Sequence, residues 1–277
     1  NENWNIAQPG LKQDKLRKGE NDFEKLDRVL KSLIMPKEIS DKNDFRVLVA
    51  AEGFQHETTE VTTSLTDLAP YSITASLPAG KNPMAKCTFR RRKDVANKHA
   101  KIQRRAETEE LTAPTADSIF GKAELSIYYF PGRSNDWSPS GKPRDAGKLK
   151  KMLEDSCGIR IFNDGVRVMP YGEKDDDWLE LGARYSQRRQ GPHGTHIRNA
   201  SLIGFLKLTR KDNPKITETA SRQKLVENDE FISLKAFIIK ILEQLEAQVQ
   251  KDKDEDDKYK KKEKALPKAI SIEAELK

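Results

Sequence analysis

Residues 158–172 read GIRIFNDGVRVMPYG, and residues 219–228 read TASRQKLVEN. In the first stretch Ile159 and Ile161 face one way with Arg160 opposite, and Val166 and Val168 return in alternation with Arg167. A period of two is the signature of a strand half-buried on one face. Asp164-Gly165 between the two runs supplies residues that tolerate a left-handed backbone, so a tight hairpin is expected, stopped at Pro170. Leu202–Leu208 (LIGFLKL) follows as a further apolar strand. The second stretch is then a polar loop whose single arginine, Arg222, immediately precedes a helix expected from about Asp229 to Val249. Phe231, Leu234, Phe237, Ile238, Ile241, Leu242 and Leu245 form its buried stripe.

Working outward, the same periodicities predict more elements. Asp145 caps a helix through Ser156 with Ala146, Leu149, Met152 and Leu153 on its apolar face. Glu124–Phe130 (ELSIYYF) is a strand. Tyr71–Leu77 and Met84–Arg92 form a hairpin with a longer connection, and Ser64 caps a short helix through Leu68. Phe45, Val47 and Val49 alternate as a strand, and Phe23, Leu26, Val29, Leu30, Leu33 and Ile34 mark an amphipathic helix. Residues 1–20 are polar and predict a linker. Residues 93–118 repeat at neither period and predict a flexible insertion, basic at its start. Trp137, in a polar loop over 131–144, is expected to pack over an edge. After Gln250 charges crowd, seven basic and six acidic over 251–264, so 251–277 is expected to be a charged helical or disordered tail. The class is α+β: a mixed sheet packed with helices, in one domain over 21–250.

Charge is distributed unevenly. The chain carries a net +7, but residues 86–105 alone carry +8 and residues 184–211 carry +7, leaving −8 for the rest. Concentrated basic charge is what an anionic partner requires. The candidate nucleic-acid contacts are Arg90, Arg91, Arg92, Lys93, Arg104, Arg105, Arg184, Arg188, Arg189 and Arg198. Two exposed basic loops would look the same. Cys87 and Cys157 fall on apolar patterns without metal or redox spacing, and predict buried thiols. His193 and His196 lack nearby acidic or thiol ligands, so no metal site is expected. No run of about 18 apolar residues predicts a membrane span. Asn1-Glu2-Asn3-Trp4 has neither a methionine nor a signal-peptide pattern, as in a cytoplasmic chain that begins partway through a longer polypeptide.

No catalytic constellation stands complete: there is no phosphate-cradling glycine loop, dinucleotide motif or nucleophile elbow. The consecutive acids Asp175, Asp176 and Asp177 resemble a nuclease cluster, but neighbours on a loop diverge and no second acidic motif accompanies them. Arg222 has the right chemistry for phosphate: a guanidinium stabilises the charge spread over a transferring phosphoryl group with two donors. The structural alternative is that Ser221 caps a turn and Arg222 pairs with an acid such as Glu227.

Together these motifs resemble the second half of a GHKL-type ATPase, the superfamily of gyrase, MutL, the ninety-kilodalton heat-shock chaperones and MORC proteins. The chaperones carry a Ser-Arg-Glu loop between a strand and a helix, as Ser221-Arg222-Gln223 stands here. Bacterial MORC-like ATPases are more similar still. They have a hairpin resembling GIRIFNDGVRVMPYG, an acidic loop before a Trp-Leu pair (Trp178-Leu179), a strand resembling LIGFLKLTRKDNP and a loop resembling TASRQKLVEN. The resemblance runs from Gly158 to Leu245 and is weaker at Trp4–Ile34 and Phe45–Phe54. Relatives have Arg-Glu-Gly where this chain has Arg222-Gln223-Lys224, replacing the loop's acid and adding a positive charge.

The resemblance implies a transducer fold, like domain 2 of ribosomal protein S5, with Arg222 sensing a γ-phosphate and Gln223 and Asn228 in support. ATP and Mg2+ would be held by an N-terminal ATPase domain, through a Glu/Asn helix and a DxGxG loop that this sequence lacks. The fragment alone would then be inactive, and a homodimer is implied for the full-length protein. The alternative is a basic nucleic-acid-binding or scaffolding module with no ATP dependence.

Overall fold

The computed structural model describes residues 48–49, 59–60, 65–77, 84–99, 104–114, 119–132, 146–173, 175–188, 197–219 and 224–265. The expected linker at 1–20, the helix at 23–34, Trp137, Arg189, Arg222 and Gln223 lie outside them. A two-residue antiparallel pair joins β1 (Leu48–Val49) to β2 (Thr59–Glu60), and a 3-10 helix follows at Leu65–Leu68.

The main sheet has seven strands. β3 (Tyr71–Leu77) and β4 (Met84–Arg91) form the expected hairpin, pairing from Tyr71↔Arg91 to Ser76↔Lys86. α1 (Lys93–Ala96) leads to β5 (Thr108–Pro114), which lies antiparallel on the outer side of β4. β6 (Ala123–Tyr129) pairs with the other side of β3. After α2 (Ala146–Ser156) come β7 (Gly158–Asn163) and β8 (Val166–Val168), joined by Asp164 and Gly165 at φ 51° and 80°. Both turn residues are left-handed, as a two-residue hairpin turn demands. α3 (Leu181–Arg188) then returns the chain to β9 (Leu202–Leu208), inserted antiparallel to β6 and parallel to β7. The order is β5-β4-β3-β6-β9-β7-β8.

Strand parity distributes the core over two faces. Ile73, Ala75, Leu77, Cys87, Phe89, Leu125, Ile127, Ile159, Ile161 and Leu206 share one face. α4 (Asp229–Ala265) covers it with Phe231, Leu234, Phe237, Ile238, Ile241, Leu242, Leu245 and Val249. On the other face Leu149, Met152 and Leu153 of α2 meet Phe162, Ile203 and Phe205. Both cysteines are buried thiols outside any disulfide. The architecture is therefore α+β with a mixed sheet, and no helix among the described residues is long and apolar enough to cross a membrane.

Two segments depart from the sequence expectation. The insertion expected over 93–118 contains α1 and β5. Only Leu111 and Ala113 of β5 join the apolar face, too few to register as a period; backbone pairing to β4 and contacts from Arg91 to Glu109 and Thr88 to Glu110 hold the strand. The charged tail expected from 251 as helical or disordered is helical as far as Ala265, and it departs from the expectation in packing against the fold as far as Tyr259. Asp252 is 1% exposed and Tyr259 8%. Asp252, Glu255, Asp256 and Tyr259 recur at helical spacing, so one face of a highly charged segment meets the sheet.

At Gly204 of β9, opposite Ile159 of β7, a Cβ would stand 2.6 Å from Ile159 Cγ1. Gly204→Ala is expected to overpack this contact and destabilise the fold by about 1–3 kcal/mol, read as a lower urea midpoint with unchanged m-value.

Candidate functional site

The loop that carries Arg222 grows from a short ribbon. Val226 N–H donates to Thr217 O at 2.8 Å, Thr219 N–H donates to Lys224 O at 2.7 Å, and Glu218 bridges Leu225 between them. Residues 220–223 lie outside the described residues, but both ends of their loop are fixed. Tyr171, in the segment after β8, anchors the ribbon: the Leu225 N–H donates to its hydroxyl oxygen at 2.9 Å. Burial pushes the Tyr171 phenol up despite that donor, which keeps it protonated at neutral pH.

Aromatic packing ties the anchor to the rest of the fold. Tyr171 stands edge-on to Trp178 at 5.1 Å and to Phe231 at 5.8 Å, and Trp178 stacks on Phe231 with planes 10° apart. Trp178 Nε1 also donates to Ile159 O at 2.9 Å. The hairpin, the loop root and the start of α4 thus share one cluster. Sequence reasoning grouped none of these three aromatics, because Phe231 lies far along the chain from Tyr171 and Trp178 and no local period links them.

Asn228, expected beside Arg222 as a supporting group, is committed as the cap of α4. Its Oδ1 accepts from Phe231 N–H at 2.9 Å, and its Nδ2 donates to Lys215 O at 2.8 Å. Such a cap satisfies one of the helix's open N–H groups and contributes about 1 kcal/mol. Glu227, the acid weighed as a partner for Arg222, pairs with Lys235 at 2.6 Å. In the acidic loop, Asp177 caps α3 through Leu181 N–H at 2.9 Å and Gly182 N–H at 2.7 Å, while burial pushes the Asp176 carboxyl up. Among the described residues no His, Cys, Asp and Glu group is arranged to hold a metal.

The first basic stretch is drawn in part into the fold. Arg91, 2% exposed, bonds Asp252 through Nε at 2.6 Å and Nη2 at 2.9 Å, and pairs with Glu109. Burial alone would lower its pKa, but these acids outweigh it and raise it. Arg105 meets Glu255 at 3.0 Å and also pairs with Asp256, whose other oxygen takes Lys98 at 2.6 Å. Arg92 pairs with Asp94 at 2.6 Å and donates to Leu68 O. Arg90, Lys93 and Arg104 remain exposed. In the second stretch Arg184 meets Glu243 at 3.0 Å, Arg198 stands 5.2 Å over the Tyr185 ring, and Arg188 ends α3. Of the ten candidates, Arg91 and Arg105 are therefore held by acids within the fold and are not free to meet an outside anion. No family model, curated protein or solved structure matches the chain.

Asp252→Ala leaves the buried Arg91 guanidinium without its bidentate partner and is expected to cost about 3–5 kcal/mol in denaturant unfolding. Burial pushes the Asp256 carboxyl up, but hydrogen bonds from Lys98 and Arg105 prevail and hold it below its ordinary value. A depressed carboxyl contributes stability that is complete above its unfolded pKa of about 3.9 and is lost as pH falls through the lower folded value. Asp256→Asn should flatten the acid limb of a Tm-against-pH curve and leave its slope above about pH 6 unchanged.

Proposed function

We propose that this chain is the ATP-coupling, transducer-type portion of a GHKL, MORC-like ATPase. In this reading Arg222 senses the γ-phosphate of a nucleotide held, with Mg2+, by an N-terminal ATPase domain, and the chain relays the dimerisation that ATP drives. The anchoring of the Thr219–Lys224 loop supports it most directly. The ribbon bonds and the Leu225–Tyr171 bond fix Thr219 and Lys224, the flanks of the Arg222 segment, ahead of a 37-residue helix. A loop that must bring one guanidinium to a phosphate on another domain needs such a fixed base, since rate depends steeply on the placement of the charged group. Nucleotide, metal and turnover belong to the partnering domain. Gln223 would support Arg222, and Lys224 would add positive charge nearby.

In the polypeptide that joins this chain to its ATPase domain, Arg222→Ala should lower ATP turnover by roughly 10³-fold, the lower end of the range for an arginine supplied to a phosphoryl-transfer site. ATP affinity in an equilibrium binding assay should change little. Undiminished turnover would overturn the coupling role.

The nucleic-acid-binding alternative rests on the exposed candidates of the first basic stretch, Arg90, Lys93 and Arg104. If they contact a phosphate backbone, duplex DNA affinity should fall with salt. Replacing all three with glutamine should lower the slope of log K against log salt by roughly 3. A slope unchanged by the triple replacement would exclude them as backbone contacts.

A further inference from the structure

The β7–β8 hairpin buries two arginines, Arg160 at 8% exposure and Arg167 at 6%. Arg160 lies two residues before Phe162, whose antiparallel partner on β8 is Arg167. The pleat therefore places both on the sheet face that packs α2, and Arg160 lies 5.9 Å over the Phe205 ring.

Their partners are unequal. Arg167 donates to Glu173 Oε1 at 2.6 Å and to Tyr171 O at 3.2 Å. Arg160 donates through Nη2 to Ser156 O at 3.1 Å, and its Nε is enclosed without a hydrogen-bond partner. Ser156 ends α2, so its carbonyl offers the partial negative charge of a helix C-terminus, enough to orient a guanidinium but not to neutralise it. Glu173 reaches Arg160 only through space. Burial first, and then the like charge of Arg167, pull the Arg160 pKa down to about 10, which still leaves it charged at neutral pH. A buried charge without a bonded counter-ion is costly, and its natural complement is an anion.

The walls beside Arg160 are bare backbone. Gly172 adopts φ 73°, and a Cβ there would stand 2.7 Å from Arg160 Cγ. Gly158 adopts φ 101°, and its Cβ would stand 2.9 Å from Gly172 Cα. Two left-handed glycines thus let the chain cross itself against the arginine stem, a close approach that side chains would forbid.

We propose that Arg160, backed by Arg167, receives a phosphate-type oxyanion on the α2 face of the hairpin. One guanidinium fork suffices for a planar carboxylate, and Arg167 meets Glu173 through a single Nη2 bond; two guanidiniums on adjacent strands suit a group whose oxygens point in several directions. The site holds whether or not the chain couples to ATP.

Inorganic phosphate is the probe, with sodium chloride and sodium acetate at equal ionic strength as comparators. At phosphate about ten times its Kd, the whole chain should gain roughly 3–5 °C in Tm over chloride. Arg160→Met, which keeps an unbranched stem of similar reach, should abolish the gain. Arg160→Lys keeps the charge but loses the fork, and should weaken phosphate binding about tenfold in calorimetry. No gain over chloride in the wild type, an equal gain from acetate, or a gain that survives in Arg160→Met would each overturn the proposal. If Arg160→Met does not fold, unchanged phosphate affinity in Arg160→Lys overturns it equally.

Discussion

The apolar stripe of α4 on the inner face of the sheet is the contact on which the other features rest. Phe231, Leu234, Phe237, Ile238, Ile241, Leu242, Leu245 and Val249 recur every three or four residues and are each 3% exposed or less. At about 1.5–3 kcal/mol for each large side chain taken out of water, this interface outweighs any single polar contact in the molecule. It also fixes strand parity, because Ile73, Phe89, Ile127, Ile161 and Leu206 must all face the helix. Once that face is set, the opposite parity of β7 and β9 delivers Phe162, Ile203 and Phe205 to α2. The two ends of α4 inherit different tasks. The first turn packs Phe231 against Tyr171 and Trp178, while the last turns bring Asp252, Glu255 and Asp256 over the edge formed by β4 and β5.

That second task changes what the charge pattern means. Residues 86–105 are strongly basic as a string, yet Arg91, Lys98 and Arg105 face acids more than a hundred residues away on α4. The bidentate Arg91–Asp252 pair is excluded from water, and its value is asymmetric: the intact pair adds little net stability, whereas losing either partner strips the other, still buried, of its bidentate bond. Much of the positive field implied by the local sequence is thus spent inside the fold. What projects from this stretch is the alternate set, Lys86 and Arg90 on the outer face of β4, with Lys93 and Arg104 beyond it. An inference from net charge to a nucleic-acid partner weakens accordingly, because the sum counts residues whose counter-ions lie far along the chain.

Elements with deep periodicity were legible in the sequence: the β3–β4 hairpin, the Asp164-Gly165 turn and α4 as far as Val249 all follow the expected residues. β5 was not, because an edge strand with only Leu111 and Ala113 on the core side carries too short a pattern. The last sixteen residues of α4 were obscured by charge, since composition hides which acids share a face. Strand order was also beyond reach: nothing in LIGFLKL states that it inserts between β6 and β7, as pairing partners leave no trace in local period. The cap role of Asn228 did have a signal, an asparagine followed by Asp229 and Glu230 at the start of an apolar-periodic run. Tyr171 had none, because its partner Leu225 is a backbone N–H.

The loop root and the ion-pair network occupy opposite ends of one helix, and their physics differs in a way that bears on coupling. Near Phe231 the contacts are aromatic faces and edges plus one hydrogen bond, Leu225 to Tyr171, all short in range but tolerant of small rotations. Near Asp252 they are charged, buried and directional, so small displacements there are expensive. A shift imposed at the loop would meet the softer end first, while the far end stays clamped to the sheet edge. At 1.5 Å per residue the helix from Phe231 to Asp252 spans roughly 32 Å, long enough for a small tilt at Phe231 to become a larger displacement wherever the clamp yields. On the coupling role proposed above, this combination would serve as a compliant input joined to a stiff lever.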